Sequence, residues 1–176
     1  EVKVPARVDS AFERRPVVPK AAPDFVQRVT AMMMDGKGDL LPVSAFPVDG
    51  TWPTATAQWE KRAIALEIPA WDDKICIQCN KCALVCPHAA IRIKAFPEEA
   101  RHGAPAGFKA VPAKGKAFAS NHLYTVQVAP EDCTGCAVCV EVCPGKDKKD
   151  GRRSLALGAK APVLAREKQS FQFFLD

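Results

Sequence analysis

The sequence predicts an α+β fold built around an internal repeat, and three observations lead there. Eight cysteines fall into two sets, Cys76, Cys79, Cys82 and Cys86, then Cys133, Cys136, Cys139 and Cys143, each 57 residues from its counterpart. Alternating runs follow the first set (Ile91-Arg92-Ile93) and precede the second (Leu123 to Val128), as strands do. Fifteen prolines in 176 residues exceed the usual share of about 5%, which favours loops over long helices. Contents of 48% apolar and 26% charged residues exclude a wholly disordered chain.

Taken in order, residues 1–23 hold Pro5, Pro16, Pro19 and Pro23 and read as an extended arm. Asp24 can cap a helix in which Phe25, Val26, Val29, Met32 and Met33 recur at helical spacing, with Gly36 placed to end it. The three methionines are core filler rather than a soft metal site. Gly36-Lys37-Gly38-Asp39 lacks the third glycine of a dinucleotide fingerprint and reads as a turn. Thr54 to Leu66 has the composition of a helix. Residues 97–120 carry prolines and glycines and form a long, mostly superficial insertion between the two halves of the repeat. Residues 159–176 form a C-terminal linker tail. The chain begins at Glu1 and ends on an apolar run, which suggests a piece of a longer polypeptide.

Each cysteine set has the form C-x2-C-x2-C-x3-C-P and closes on Pro87 or Pro144. This run is an established ligation pattern for four-iron clusters, in which the fourth cysteine serves the other cluster. Three thiolates two residues apart can converge on three corners of a cube, while the fourth starts a helical turn pointing away. The expected assignment is therefore crossed: Cys76, Cys79, Cys82 and Cys143 hold one 4Fe-4S cluster, and Cys133, Cys136, Cys139 and Cys86 hold the other. Disulfides suit such closely spaced triplets poorly, and zinc ribbons use separated pairs. Backbone N–H groups of Ile77, Gln78, Asn80, Lys81, Thr134, Gly135, Ala137 and Val138 are placed to donate to cluster sulfurs and tune the potential. His88 reads as a turn histidine, Lys81 as a solvated charge, and Trp71 as a packing residue able to shield the first cluster.

A formal charge of +5 treats the cysteines as neutral. Eight thiolates and two clusters with 2+ cores bring it to about +1. No basic stripe interleaved with aromatics supports nucleic-acid binding, and no apolar run reaches the roughly 18 residues of a membrane span. The expectation is a soluble protein of a reducing compartment, cytoplasmic or organellar. No nucleophilic triad, paired carboxylates or phosphate loop is present, so the isolated chain is expected to be non-catalytic.

Leu41 to Phe46, Asp49-Gly50-Thr51, Glu60-Lys61-Arg62, the first cysteine loop through Cys86-Pro87-His88-Ala89-Ala90-Ile91-Arg92, Asp132 to Cys136 and Phe173 to Asp176 together resemble pyruvate:ferredoxin (flavodoxin) oxidoreductase. Ala55 and Ala137 stand where glycine is expected. The resemblance implies a small, loop-rich α/β connecting domain, named for its Glu-Lys-Arg triplet, over residues 1–66. It also implies a ferredoxin-like domain with a pseudo-twofold repeat and two clusters over residues 67–158. Thiamine diphosphate, magnesium and a third cluster would lie elsewhere in the full enzyme. The implied role is to carry electrons from oxidation of a 2-oxoacid, pyruvate foremost, to ferredoxin or flavodoxin; the other domains of the enzyme are further partners. Alternatives are a free-standing carrier with two clusters and a structural zinc or interaction module. Lys146, Lys148, Lys149, Arg152 and Arg153 outnumber Asp147 and Asp150 and could dock an acidic carrier.

Overall fold

A computed structural model describes residues 16–176. The chain divides between Lys61 and Arg62 into two compact units.

In the first unit, a π-turn over Val26–Thr30 runs directly into helix α1 (Ala31–Met34). Val18, Ala22 and Val26 form its buried core, with Ala31, Met34 and Trp59 packed alongside. The helix ends as its sequence anticipates. Gly36 adopts φ +72°, Gly36 N–H donates to the Met33 carbonyl and Lys37 N–H to that of Met32, the paired bonds of a glycine-terminated helix. Phe25 meets Trp52 edge-on, ring centres 5.0 Å apart.

The expected helix from Thr54 to Leu66 does not form. A single 3₁₀ turn, Thr56–Trp59, stands in its place. Ala55 at φ +61° and Ala63 at φ +51° bracket the segment in left-handed conformations, where a right-handed helix cannot run.

The second unit holds two antiparallel sheets. Strand β1 (Glu67–Trp71) pairs with β5 (Leu155–Ala159), in register from Glu67–Ala159 to Trp71–Leu155. Strand β4 (His122–Val128) lies between β2 (Ile91–Pro97) and the two-residue β3 (Val111–Pro112). Each half of the repeat thus contributes a strand, a cysteine loop, a one-turn helix and a second strand: β1, α2 (Lys81–Leu84) and β2, then β4, α3 (Val138–Glu141) and β5. The first strand of each half pairs with the second strand of the other, so neither half makes its sheet alone. Ile68, Trp71, Ile91, Tyr124, Val126, Val128 and Leu155 fill the core between the sheets and the cysteine loops.

Two readings from sequence need correction here. Residues 159–176 are not a linker tail: after β5 comes helix α4 (Leu164–Leu175), with Phe174 buried against Phe96, Phe108 and Leu123. Residues 97–120 are likewise more than a surface loop. Phe108 is buried and meets Phe173 edge-on at 4.8 Å, and Thr125 Oγ1 donates to the Lys109 carbonyl at 2.7 Å. The aromatic residues of the insertion and of α4 bury one another, an outcome that local periodicity does not register. Residues 63–67 are bonded into the second unit as well: Ala63 N–H donates to the Glu131 carbonyl, and Lys160 N–H to that of Leu66.

Candidate metal centres

The two cysteine loops share a backbone path. Gln78 and Asn80 in the first, and Gly135 and Ala137 in the second, all have positive φ, from +57° to +72°. These left-handed positions turn each loop back on itself, so that Gln78 N–H donates to Cys76 Sγ and Gly135 N–H to Cys133 Sγ, both at 3.4 Å. Helices α2 and α3 then start directly and touch each other. The fourth cysteine follows each helix, and Ala90 N–H donates to Cys86 Sγ at 3.3 Å.

The eight sulfurs border two cavities. Cys76, Cys79, Cys82 and Cys143 line one, with Trp71, Asn80, Tyr124 and Ser154. Cys86, Cys133, Cys136 and Cys139 line the other, with Pro69, Ile91, Val138 and Leu157. Each cavity therefore draws three cysteines from one loop and its fourth from the opposite half. Among the described residues, no three His, Cys, Asp or Glu side chains form a group suited to a single metal ion. Sulfur donors ringing a space suit a four-iron cube better than one ion at a point. Trp71 also fits that reading: it lines the first cavity, and its indole N–H is buried without an acceptor.

Electrostatics set the condition for filling these rings. Burial, reinforced by neighbouring sulfurs, pushes the Cys82 thiol up to about 11 and the Cys139 thiol up to about 12. Burial raises Cys133 too, partly offset by the Gly135 N–H. Such thiols keep their protons near neutral pH, and only a positively charged occupant makes four thiolates tolerable together. Burial and the sulfurs also push the Tyr124 phenol far above its usual range, so it remains a donor, bonded to Asn80 Oδ1 at 2.9 Å.

Close approach fixes one further position. A Cβ on Gly145 would lie 3.0 Å from the Ile75 carbonyl oxygen and 3.1 Å from Ser154 Cβ, beside Cys143. Of the other residues singled out from sequence, His88 is exposed at the rim of the second cavity and Lys81 is exposed at the start of α2. The basic run after Cys143 is only partly available. Arg152 pairs with Asp72 at 2.8 Å and lies 3.6 Å from Asp150, while Arg153 holds Glu141 and the Val140 carbonyl. Sequence reasoning missed Lys160, which is buried although it lies in the supposed tail. An apolar β5 leading into it was the only local signal.

Among the described residues, no helix is long and apolar enough to cross a membrane. Residues 11–65 match the EKR family, described as a domain of unknown function, and residues 75–146 match the 4Fe-4S dicluster domain. The chain is 56% identical over 161 residues to a pyruvate-flavodoxin oxidoreductase of Rhodospirillum rubrum, covering 92% of this chain and 14% of that protein. A pyruvate-flavodoxin oxidoreductase of Nostoc sp. is 50% identical over 157 residues, 89% of this chain and 13% of its own length. A pyruvate:ferredoxin oxidoreductase of Moorella thermoacetica is 41% identical over 173 residues, 98% of this chain and 14% of its own. The chain thus spans about a seventh of the length of these relatives, and with near-complete coverage by each of them it belongs to the pyruvate-flavodoxin oxidoreductase family.

Proposed function

We propose that this chain is the electron-relay segment of a pyruvate-oxidising enzyme, with one 4Fe-4S cluster in each cysteine ring. Cys76, Cys79, Cys82 and Cys143 hold the first; Cys133, Cys136, Cys139 and Cys86 hold the second. When bound, the clusters supply one-electron acceptance and donation. The observation that carries this reading is that two cavities are each bordered by four cysteines drawn from both halves of the repeat. Crossing ties the halves together and brings Cys82 close enough to Cys139 for its charge to act on that sulfur.

The chain's own groups hold, tune and insulate. Eight cysteines supply the ligands, backbone N–H groups of Gln78, Gly135 and Ala90 donate to their sulfurs, and core side chains keep water from the inner faces. Hydrogen bonds to sulfur raise a cluster's potential, and apolar burial lowers it. Oxidation of pyruvate, with thiamine diphosphate, magnesium and a third cluster, belongs elsewhere in the enzyme. Electrons leave to ferredoxin or flavodoxin, steered to the loop after Cys143 by Lys146, Lys148 and Lys149, which are exposed. Arg152 and Arg153 are committed to internal pairs.

Anaerobic iron and sulfide analysis of the loaded chain tests the reading. Eight irons and eight inorganic sulfides per chain are expected; zinc without sulfide would replace it with a structural metal module. For the docking loop, Lys148→Glu with Lys149→Glu should slow reduction of an acidic carrier several-fold at low salt, with the difference closing as salt rises. Equal rates at low salt would remove the loop from the exit path.

A further inference from the structure

Lys160 is 8% exposed. Its Nζ donates to the Ala63 carbonyl at 2.6 Å, and its own N–H extends the β1–β5 pairing to Leu66. The same segment presses on the second cysteine loop: a Cβ on Gly135 would lie 3.2 Å from the Glu67 carbonyl oxygen and 3.4 Å from Ala65 Cβ. Lys160 is thus clamped behind that loop: Ala63, whose carbonyl it bonds, gives its own N–H to the Glu131 carbonyl, two residues before Cys133.

Burying an ammonium is costly unless an opposite charge answers it. Among the described residues, no carboxylate lies within ion-pair distance of Lys160. The nearby Glu131 carboxylate is taken by Lys168 at 3.0 Å. The first loop offers a contrast, because Lys81 within it and Lys114, which reaches the Cys76 carbonyl at 2.8 Å, are both exposed and screened by solvent.

We propose that Lys160 is the buried counter-charge of the second cluster and a positioning residue that sets that cluster's potential. The inference rests on the reading of the Cys133, Cys136, Cys139 and Cys86 ring as a cluster site. Four thiolates around a 2+ core carry a net negative charge, and taking up one electron makes it more negative. A fixed cation close by stabilises the reduced state more than the oxidised one, and burial keeps the attraction from being screened.

The test is an anaerobic redox titration of the loaded chain, following each cluster by electron paramagnetic resonance. Lys160→Gln keeps a donor for Ala63 without the charge, Lys160→Met removes both, and Lys160→Arg keeps the charge. In the Gln and Met variants the ratio of reduced to oxidised second cluster at a fixed potential should fall about tenfold, equivalent to 59 mV for one electron. The first cluster should move much less, and Arg should stay near the parent. Loss of the second cluster in the neutral variants, with eight irons retained in the Arg variant, also supports the charge. An unshifted second cluster in Lys160→Gln, or an Arg variant that behaves as Gln does, overturns the proposal. A parent chain without eight irons and sulfides refutes the underlying cluster reading instead, before any variant is made.

Discussion

Gln78 and Gly135 occupy the same place in the two cysteine loops, and each donates its N–H to the first sulfur of its loop at 3.4 Å. Beyond the backbone they diverge. Gln78 Nε2 donates to the Pro112 carbonyl at 2.9 Å, and its Oε1 accepts from Lys114 N–H at 2.7 Å, so the insertion is laced onto the first loop. Gly135 has no side chain because the Glu67 carbonyl and Ala65 stand where one would be. The first loop is held by polar bonds from the insertion, the second by close packing against residues 63–67. The walls follow suit: Tyr124, Asn80 and Ser154 border the first cavity, and Pro69, Ile91 and Leu157 the second. Duplicated ligand loops therefore need not make duplicated sites: the insertion braces one loop, residues 63–67 back the other, and the strands of the two halves set different side chains on the two walls.

The largest expected effect breaks the comparison on the first side. Gly145→Val would drive a side chain into the Ile75 carbonyl and Ser154 beside Cys143. Overpacking against backbone should cost about 3 kcal/mol or more. Because Cys143 borders the first cavity, iron should fall from eight toward four per chain while the second cluster keeps its spectrum. Equal loss from both would mean that the rings do not fail independently.

Proton linkage separates the rings next. One raised thiol, Cys82, belongs to the first ring, and two, Cys133 and Cys139, belong to the second. A raised thiol stays protonated until the pH approaches its own value, so loading must displace that proton and gains as pH rises. From pH 7 to about 8.5, the ordinary thiol range, both rings should load better. Above about 9 the second should gain more steeply, since its Cys139 thiol is pushed up to about 12 and its Cys133 thiol is raised as well. Loading followed by the two clusters' spectra across this range checks the sign and the order.

A smaller effect sharpens the polar side. Gln78→Ala removes two hydrogen bonds to the insertion, and should cost about 1–2 kcal/mol. The first cluster should then be lost faster to an iron chelator, and the second at an unchanged rate.

What was legible in the sequence follows from range. The cysteines could be picked out because ligation of this kind is written in spacings of three and four residues. The helix ending at Gly36 and the strands β2 and β4 were legible for the same reason, through local periodicity and a left-handed glycine. Helix α4 was missed because Phe171, Phe173 and Phe174 bury themselves against Phe96 and Phe108, far away in sequence. Lys160 was missed because nothing local announces which cation will be buried. The segment after Ala55 misled, since helix-forming composition says nothing of alanines held left-handed.

That last point yields the smallest expected effect. Ala137, in the second loop, sits at φ +63°, a conformation costing a side-chain-bearing residue about 1–2 kcal/mol. Ala137→Gly should stabilise the second unit by about 0.5–1 kcal/mol once the added freedom of the unfolded chain is subtracted. Thermal unfolding of the loaded chain reads it, and a loss of stability would show that the Ala137 methyl packs productively against the second cavity.

On the proposed ligation each site is completed from the opposite half of the repeat. The most direct measurement is the pair of single variants Cys86→Ser and Cys143→Ser, each followed by iron analysis and by the resolved spectra of the two clusters. Cys143→Ser should damage the cluster of the Cys76 loop and spare the other, while Cys86→Ser should damage the cluster of the Cys133 loop. Damage confined in each case to the cluster of the substituted cysteine's own loop would contradict it.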